Sequence, residues 1–423
     1  MSEIQIIYQP FGGLPDGAAS ILAGTLARLA GRKPGTENVT FQYSDEWLGL
    51  SPRVAFQLDP GLPLMAGRNV TGDTANLLPL CMQDCSPDRW GKQLMQHREF
   101  QVAKKSERSA RTLRDWDFLT GVSDISRMGA LRLFEPQTRQ YISQFEHSVP
   151  VVSDLDQLSR VALKVDRGEL LSGDDAQWLR RLIAPGSALG GARPKAVFAE
   201  ADGQMWLAKF PAANDQKIDV GLWEFITWEL AIKAGIDMPP AKALSLRGKN
   251  GPHTFAVQRF DRVGAERVHF QSAMSMLGYA PNQDASYLEI ADALAANAAS
   301  GQAKADLAQL FRRVVFNIIV GNRDDHLRNH GFLRGDNGWR LSPAFDVNPN
   351  PYKRIHALAI DEGDMTPDLD AAVRTHAYYQ LTIADARLVV DEVKDAMKDW
   401  QAVARSAGAK PSQIQDMRQV INC

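Results

Sequence analysis

The sequence has very little cysteine, three in 423 residues. Cys81, Cys85 and Cys423 form no pair of pairs, which excludes a disulfide scaffold and a four-thiolate zinc site. A reducing compartment is the simplest reading. No run approaches the roughly 18 apolar residues of a membrane helix. Met1–Gln5 lacks a basic region followed by an apolar stretch, so no secretory leader is expected. Repeats at solenoid periods and low-complexity tracts are missing as well. Nor is there an excess of one charge: 48 Lys+Arg stand against 50 Asp+Glu, a net −2. That excludes a wholesale basic protein but leaves room for a local phosphate or nucleic-acid site. A soluble, cytoplasmic chain with no membrane partner is expected. What is there is an ordinary globular composition, long enough for two or three domains or one two-lobed unit with an unstapled core.

Residues 1–80 read as short β-rich segments broken by Gly and Pro. Val39–Tyr43 and Val54–Leu58 alternate apolar and polar, as half-buried strands do. Asp88–Arg114 carries eight Lys/Arg (Arg89, Lys92, Arg98, Lys104, Lys105, Arg108, Arg111, Arg114) against Asp88, Glu99 and Glu107. Such a run is either a solvated face or a surface for an acidic partner or nucleic acid. A helical stretch around Leu155–Leu182 leads into Ala184–Lys195, rich in glycine and proline. Ala196–Glu200 and Met205–Phe210 then flank the turn pair Asp202-Gly203, a hairpin signal. Val220–Ala234 has helical apolar spacing and is closed by Gly235, with Pro239 and Pro240 beyond. Phe255–Phe260 reads as a strand. Leu307, Leu310, Phe311, Val314, Val315, Ile318 and Ile319 form a wide apolar stripe on one helix that ends at Gly321.

Chemistry concentrates after that helix, in Gly321-Asn322-Arg323-Asp324-Asp325-His326-Leu327-Arg328-Asn329-His330 and Leu341-Ser342-Pro343-Ala344-Phe345-Asp346. Asp324 and Asn329 have the spacing of the Asp and Asn in a protein-kinase catalytic loop. Asp346, next to Phe345, stands where a magnesium-binding Asp would follow. Phosphoryl transfer needs a carboxylate to orient the attacking hydroxyl, and hard oxygen donors to hold Mg²⁺ against the phosphates of ATP. Lys209, on the second hairpin strand, is placed like a kinase strand lysine, and Glu224 on the next helix like its glutamate partner. Gly190-Gly191-Ala192 can bring amide N–H groups to phosphate oxygens, but it is no Walker A loop. Each residue alone has a plainer reading: Asp324 and Asp325 as a turn network, Lys209 as a strand-end lysine, Glu224 as a surface residue, Ser187 as a cap. His326 and His330, four apart, could be zinc ligands, though hard oxygen donors dominate nearby. The order of the pieces is the specific signal.

At these residues the sequence resembles the HipA family of bacterial toxin kinases. Gly190–Lys195, Leu207–Pro211, Val257–Arg262, Asn322–Asn329 and Pro343–Asp346 all resemble family blocks. So do Phe41–Tyr43, Leu78–Leu80, Pro87–Gly91 and Met128–Arg132 in the early part. The resemblance implies an α+β, two-lobed HipA/protein-kinase-like fold, with an α/β N-terminal lobe and a mostly helical C-terminal lobe. The expected divisions are 1–150 for an N-terminal module, 151–265 for the glycine loop, strand lysine and hinge, and 266–423 for a helical catalytic lobe. It implies a Mg·ATP-dependent serine/threonine kinase. In it Asp324 is the catalytic base, Asn329 and Asp346 bind Mg²⁺, and Lys209 contacts phosphate. His326 lies near the nucleotide, and Gln258 to Phe260 form the hinge beside adenine, Gln258 standing where Glu is more usual. It also implies a small helix-turn-helix (HipB-like) antitoxin, operator DNA through it, and substrates such as an aminoacyl-tRNA synthetase. The family's autophosphorylated serine falls at Ser187 or at Ala188, so Ser187 is the acceptor if the reaction occurs. Rival readings are a small-molecule kinase of the aminoglycoside or choline type, and a non-catalytic pseudokinase that holds an antitoxin on DNA.

Overall fold

A computed structural model describes residues 2–422 except 15–16, 32–36, 52–53, 72–77, 143–148, 170, 172, 184–190, 216, 249–250 and 282. The chain divides into two compact units. Met1–Ala212 with Asp261–Gln271 forms the first, and Ala213–Phe260 with Ser272–Cys423 the second. Helices and antiparallel strands are mixed throughout, so the fold is α+β.

The first unit is built on an antiparallel sheet in the order β4-β3-β2-β1-β5-β6. Its strands are β1 (Ser2–Tyr8), β2 (Ile21–Ala30), β3 (Glu37–Tyr43), β4 (Asn69–Thr71), β5 (Leu131–Glu135) and β6 (Gln140–Tyr141). Ile4, Ile6 and Tyr8 of β1 point inward at every second position, as a pleated strand with one buried face must. Tyr8, Trp47, Phe56 and His269 meet with ring centroids 5.4–5.6 Å apart. Val54–Leu58 is not a strand. Its end is held by side chains instead: Leu58 donates its N–H to the Tyr43 hydroxyl at 3.0 Å and accepts from Gln271 at 3.3 Å. These bonds take the place of a ladder. The helical stretch around 155–182 holds two helices, Leu155–Asp166 and Asp175–Ile183, parted at a left-handed Gly168 (φ 69°).

Two of the sequence blocks meet inside this unit. Gly129 adopts φ 73°, and a Cβ there would lie 3.0 Å from the Phe270 N. Its own N–H donates to the Asp261 carboxylate at 2.8 Å. Arg267 donates to the carbonyls of Asp124 (2.5 Å) and Arg127 (3.2 Å). The fully buried Arg127 donates to those of Cys85, Leu119 and Val122. These bonds fasten the excursion 261–271 to the loop ahead of β5. The unit ends in a hairpin, β7 (Lys195–Ala199) and β8 (Met205–Lys209), with Gly203 left-handed in its turn.

The second unit carries helix Val220–Lys233, capped by Asp219, and a hairpin of β9 (Ala241–Leu244) and β10 (Thr254–Gln258). Its centre is helix Ala303–Val320, buried on nearly every face of its second half. Helices Tyr287–Asn297 and Ile383–Met397 pack against it. Among the described residues no helix is long and apolar enough to cross a membrane.

Candidate active site

The central helix fixes where the polar cluster starts. It ends at Gly321, where φ is 75° and a Cβ would lie 2.8 Å from the Val420 carbonyl oxygen, so no side chain fits. The chain then leaves helical geometry over 322–326, is extended at His326, and closes in a 3-10 turn at Leu327–Asn329. Arg323, Asp325, Leu327 and Asn329 are buried, while Asp324, His326 and Arg328 are exposed.

Asp325 anchors this segment. Its carboxylate accepts hydrogen bonds from the Tyr287 hydroxyl at 2.7 Å, Asn317 Nδ2 at 2.8 Å and His330 Nε2 at 2.8 Å. An ionised carboxylate only accepts, so the imidazole Nε2 carries the proton. Burial pushes the Asp325 carboxyl up, but His330 and the Tyr287 hydrogen bond outweigh it and hold it below the usual carboxylate range. Asn322 completes the network by donating to Asn317 Oδ1 at 3.1 Å. The sequence pattern alone gave this aspartate only the plainer reading of a turn network shared with Asp324.

Asp324, its neighbour, faces outward, with 60% of its side chain exposed, and forms an ion pair with Lys353. Asn329 is buried, and among the described residues its side-chain amide makes no hydrogen bond. It shares the lining of a small cavity, about 10 Å³, with Asp325, Asn317 and Phe345. Asp346 follows Phe345 and adopts φ 57°. That left-handed conformation is uncommon outside glycine, and aspartate tolerates it better than most residues. The segment is held from behind by the buried Arg313, which donates to the Ser342 carbonyl at 2.6 Å, and by the Ala344 N–H, which donates to the Asp237 carbonyl at 2.8 Å. Phe345 packs on Phe260, ring centroids 5.4 Å apart. The Asp324–Asn329 segment, the Phe345-Asp346 turn and the end of the β10 segment are thus brought together. Gln258 closes β10 and donates its N–H to the Pro240 carbonyl at 2.8 Å. Glu224 is buried at 3%, not on a surface face.

His330 is turned inward to Asp325 and His326 outward, so the two do not share a side as zinc ligands would. Among the described residues no group of three or more His, Cys, Asp or Glu could hold a metal. A magnesium site of the kind expected needs less. The Asn329 amide oxygen and the Asp346 carboxylate are hard oxygen donors, and Mg²⁺ keeps several of its waters. The residues present fit that ion.

The remaining expected residues lie in the first unit. Lys209 is buried at the end of β8, opposite Lys195 in the hairpin register. Lys195 is an unforeseen fixture. Its ammonium pairs with Asp88 at 2.8 Å, the two side chains only 2% and 5% exposed. Asp88 also caps helix Arg89–Lys105 by accepting from the Gly91 N–H at 2.8 Å, and Trp90 Nε1 donates to the Lys195 carbonyl at 3.1 Å. The Pro87–Gly91 and Gly190–Lys195 blocks therefore meet through one buried pair. Gly191 has φ 96°, and a Cβ there would lie 3.1 Å from Lys195 Nζ. Ala192 is described beside it; Ser187 and Gly190 lie outside the described residues. Much of the basic run is paired locally: Arg108 and Arg111 with Glu99, Arg114 with Glu37, Lys92 with Asp115. These pairs favour a solvated, self-neutralised face over a nucleic-acid surface.

Residues 187–406, just over half of the chain, match the HipA-like C-terminal domain, and the chain belongs to that family. The resemblance read from its motifs is thereby established. A Sinorhizobium fredii protein named "Putative kinase Y4dM" is 26% identical over 221 residues, covering 48% of this chain and 53% of that protein. A Haemophilus influenzae protein named "Putative kinase" is 28% identical over 165 residues, covering 34% and 48%. The chain spans about half the length of the curated relatives it matches. Among solved structures, Shewanella oneidensis HipA, crystallised with HipB and its operator DNA, superposes with a TM-score of 0.59 at 15% identity, covering 99% of this chain and 96% of that one. This likeness shows that the two chains share a fold.

Proposed function

We propose that this chain is a Mg·ATP-dependent serine/threonine protein kinase of the HipA type. The observation that carries the reading is the alternation at 324–329. A buried anchor, Asp325, holds an exposed carboxylate, Asp324, on one side, and on the other the unbonded amide of Asn329 lines a small cavity with Phe345, the residue before Asp346. Asp324 orients the acceptor hydroxyl and takes its proton as the oxygen attacks the γ-phosphorus. Asn329 and Asp346 would hold Mg²⁺, which would supply charge neutralisation at the phosphates. Lys209 and the backbone of Gly190–Ala192 hold the phosphates. Gln258 to Phe260 meet the adenine, and His326 lies near the nucleotide. Fixed groups of this kind need no rearrangement as charge develops, which is where most of the rate comes from.

Partners follow by family: a helix-turn-helix antitoxin, operator DNA through it, and a protein substrate of the translation apparatus such as an aminoacyl-tRNA synthetase, in the cytoplasm. If the chain phosphorylates itself, Ser187 is the proposed acceptor. The test is phosphate transfer from Mg·ATP to protein by wild type, Asp324→Ala and Asp346→Ala. Wild type should transfer and both variants should not, with their fold retained. Transfer by either variant at the wild-type rate refutes its role. Phosphate found only on a small-molecule acceptor would favour the aminoglycoside- or choline-type kinase. Salt-sensitive DNA binding without turnover would favour the pseudokinase.

A further inference from the structure

The ion pair at Asp324 is built more firmly than a surface contact requires. Exposed Lys–Asp pairs contribute little to stability and need no support. Here the backbone that carries Lys353 is fastened to the catalytic segment at several points. The Asn350 N–H donates to the Gly321 carbonyl at 2.9 Å. Asn350 Oδ1 accepts from the N–H groups of Tyr352 at 3.0 Å and Lys353 at 3.3 Å. Arg323, buried and directly before Asp324, donates through Nη1 to the Lys353 carbonyl at 2.5 Å. The residue ahead of the carboxylate thus grips the residue whose ammonium meets it. Both charged tips remain open to solvent, 47% for Lys353 and 60% for Asp324, so neither is spent on the core.

We infer that Lys353 is a further catalytic residue of this site, a cation that rests on Asp324 in the free protein and contacts the transferred phosphoryl group during the reaction. The inference rests on the kinase reading above and adds to it a residue outside the Asp-x4-Asn and Phe-Asp motifs. An ammonium is a compact charge with three donors on a flexible four-carbon stem. One donor can keep a carboxylate oxygen while another takes a phosphoryl oxygen. In the step, the bond from the acceptor oxygen to the γ-phosphorus forms. The bond from that phosphorus to the β–γ bridging oxygen breaks, and ADP leaves with its electron pair. The acceptor proton passes to Asp324. Lys353 gives up no proton; it lowers the cost of the charge spread over the phosphoryl oxygens.

The experiment uses the full chain, γ-labelled Mg·ATP and bacterial lysate protein as acceptor, with wild type, Lys353→Met, Lys353→Arg and Asp324→Ala. Removing one fixed donor to a developing oxyanion costs about 100-fold or more in rate. Lys353→Met should therefore lose about 100-fold in rate at saturating ATP. Its KM for ATP should stay within about threefold, because the contact is made in the transition state and not in the ground state. Lys353→Arg, which keeps the charge, should recover part of the rate. Melting temperatures should match wild type. An unchanged Lys353→Met rate overturns the assignment, and a raised rate overturns it in favour of an inhibitory clamp. Equal losses in both Lys353 variants with a lowered melting temperature reduce Lys353 to a structural residue. No Asp324-dependent labelling by wild type overturns the kinase reading and Lys353 with it. Labelling that depends on Asp324 but not on Lys353 overturns Lys353 alone.

Discussion

Asp324 and Asp325 are adjacent, chemically identical and oppositely placed, so alanine at each should do opposite things. Asp325→Ala removes one acceptor and strands three donors, on Tyr287, Asn317 and His330, all buried. An unsatisfied buried donor costs about 1–3 kcal/mol. The three donors relax together, so their costs do not fully add, and a loss of about 3–5 kcal/mol is expected. The second unit holds about 200 residues, and in a unit of that size each kcal/mol moves the melting temperature about 2–4 °C. Its transition should therefore fall by roughly 6–20 °C. Asp324→Ala touches only an exposed ion pair and should shift stability by no more than about 0.5 kcal/mol, while abolishing transfer. Calorimetry, with urea unfolding as a second probe, reads both. An Asp325→Ala transition within about 1–2 °C of wild type, taken as roughly the error of a scan, would refute the anchoring role. So would equal destabilisation by the two variants.

Three further outcomes follow from particular contacts. Burial pushes the His356 imidazole down to about 4, with Asp325 opposing that shift and Arg323 adding to it. The unfolded chain, with an ordinary value of about 6.5, then binds the proton first. Stability from this site is full above about pH 6.5, is lost as pH falls toward 4, and totals about 3 kcal/mol. His356→Gln should flatten that limb of the stability–pH curve, and an identical curve would refute it. Lys195→Ala leaves Asp88 buried without its cation. It should destabilise the first unit by about 3–5 kcal/mol, and a wild-type urea midpoint would contradict this. Lys209→Ala should mainly weaken productive nucleotide binding, read as a raised KM for ATP. A changed kcat at unchanged KM would exclude that role.

Local pattern carried much of this structure. The stripe from Leu307 to Ile319 specified its helix because one periodicity covers the whole stretch. The Asp202-Gly203 turn specified the β7–β8 hairpin, since that pairing is local. Val54–Leu58 misled because alternation signals a half-buried segment but not the partner of its backbone, which is Tyr43 and Gln271 here. The stretch 155–182 is helical as its spacing indicates, and Gly168 divides it into two helices. In the candidate site, spacing and type singled out Asp324, Asn329 and Asp346 as proposals. They did not single out Asp325, Lys195 or Lys353, whose contacts are with residues far along the chain: Tyr287 for Asp325, Asp88 for Lys195, Asp324 for Lys353. Such pairings leave no trace in local sequence.

The central claim is that the exposed carboxylate of Asp324 carries phosphoryl transfer to protein. Wild type and Asp324→Ala would each be incubated with Mg·ATP in a cell lysate, and phosphopeptides mapped by mass spectrometry. The account predicts phosphoserine or phosphothreonine on a specific protein with wild type and none there with the variant. The same phosphopeptides from both, or none from wild type while it still binds nucleotide, would contradict it.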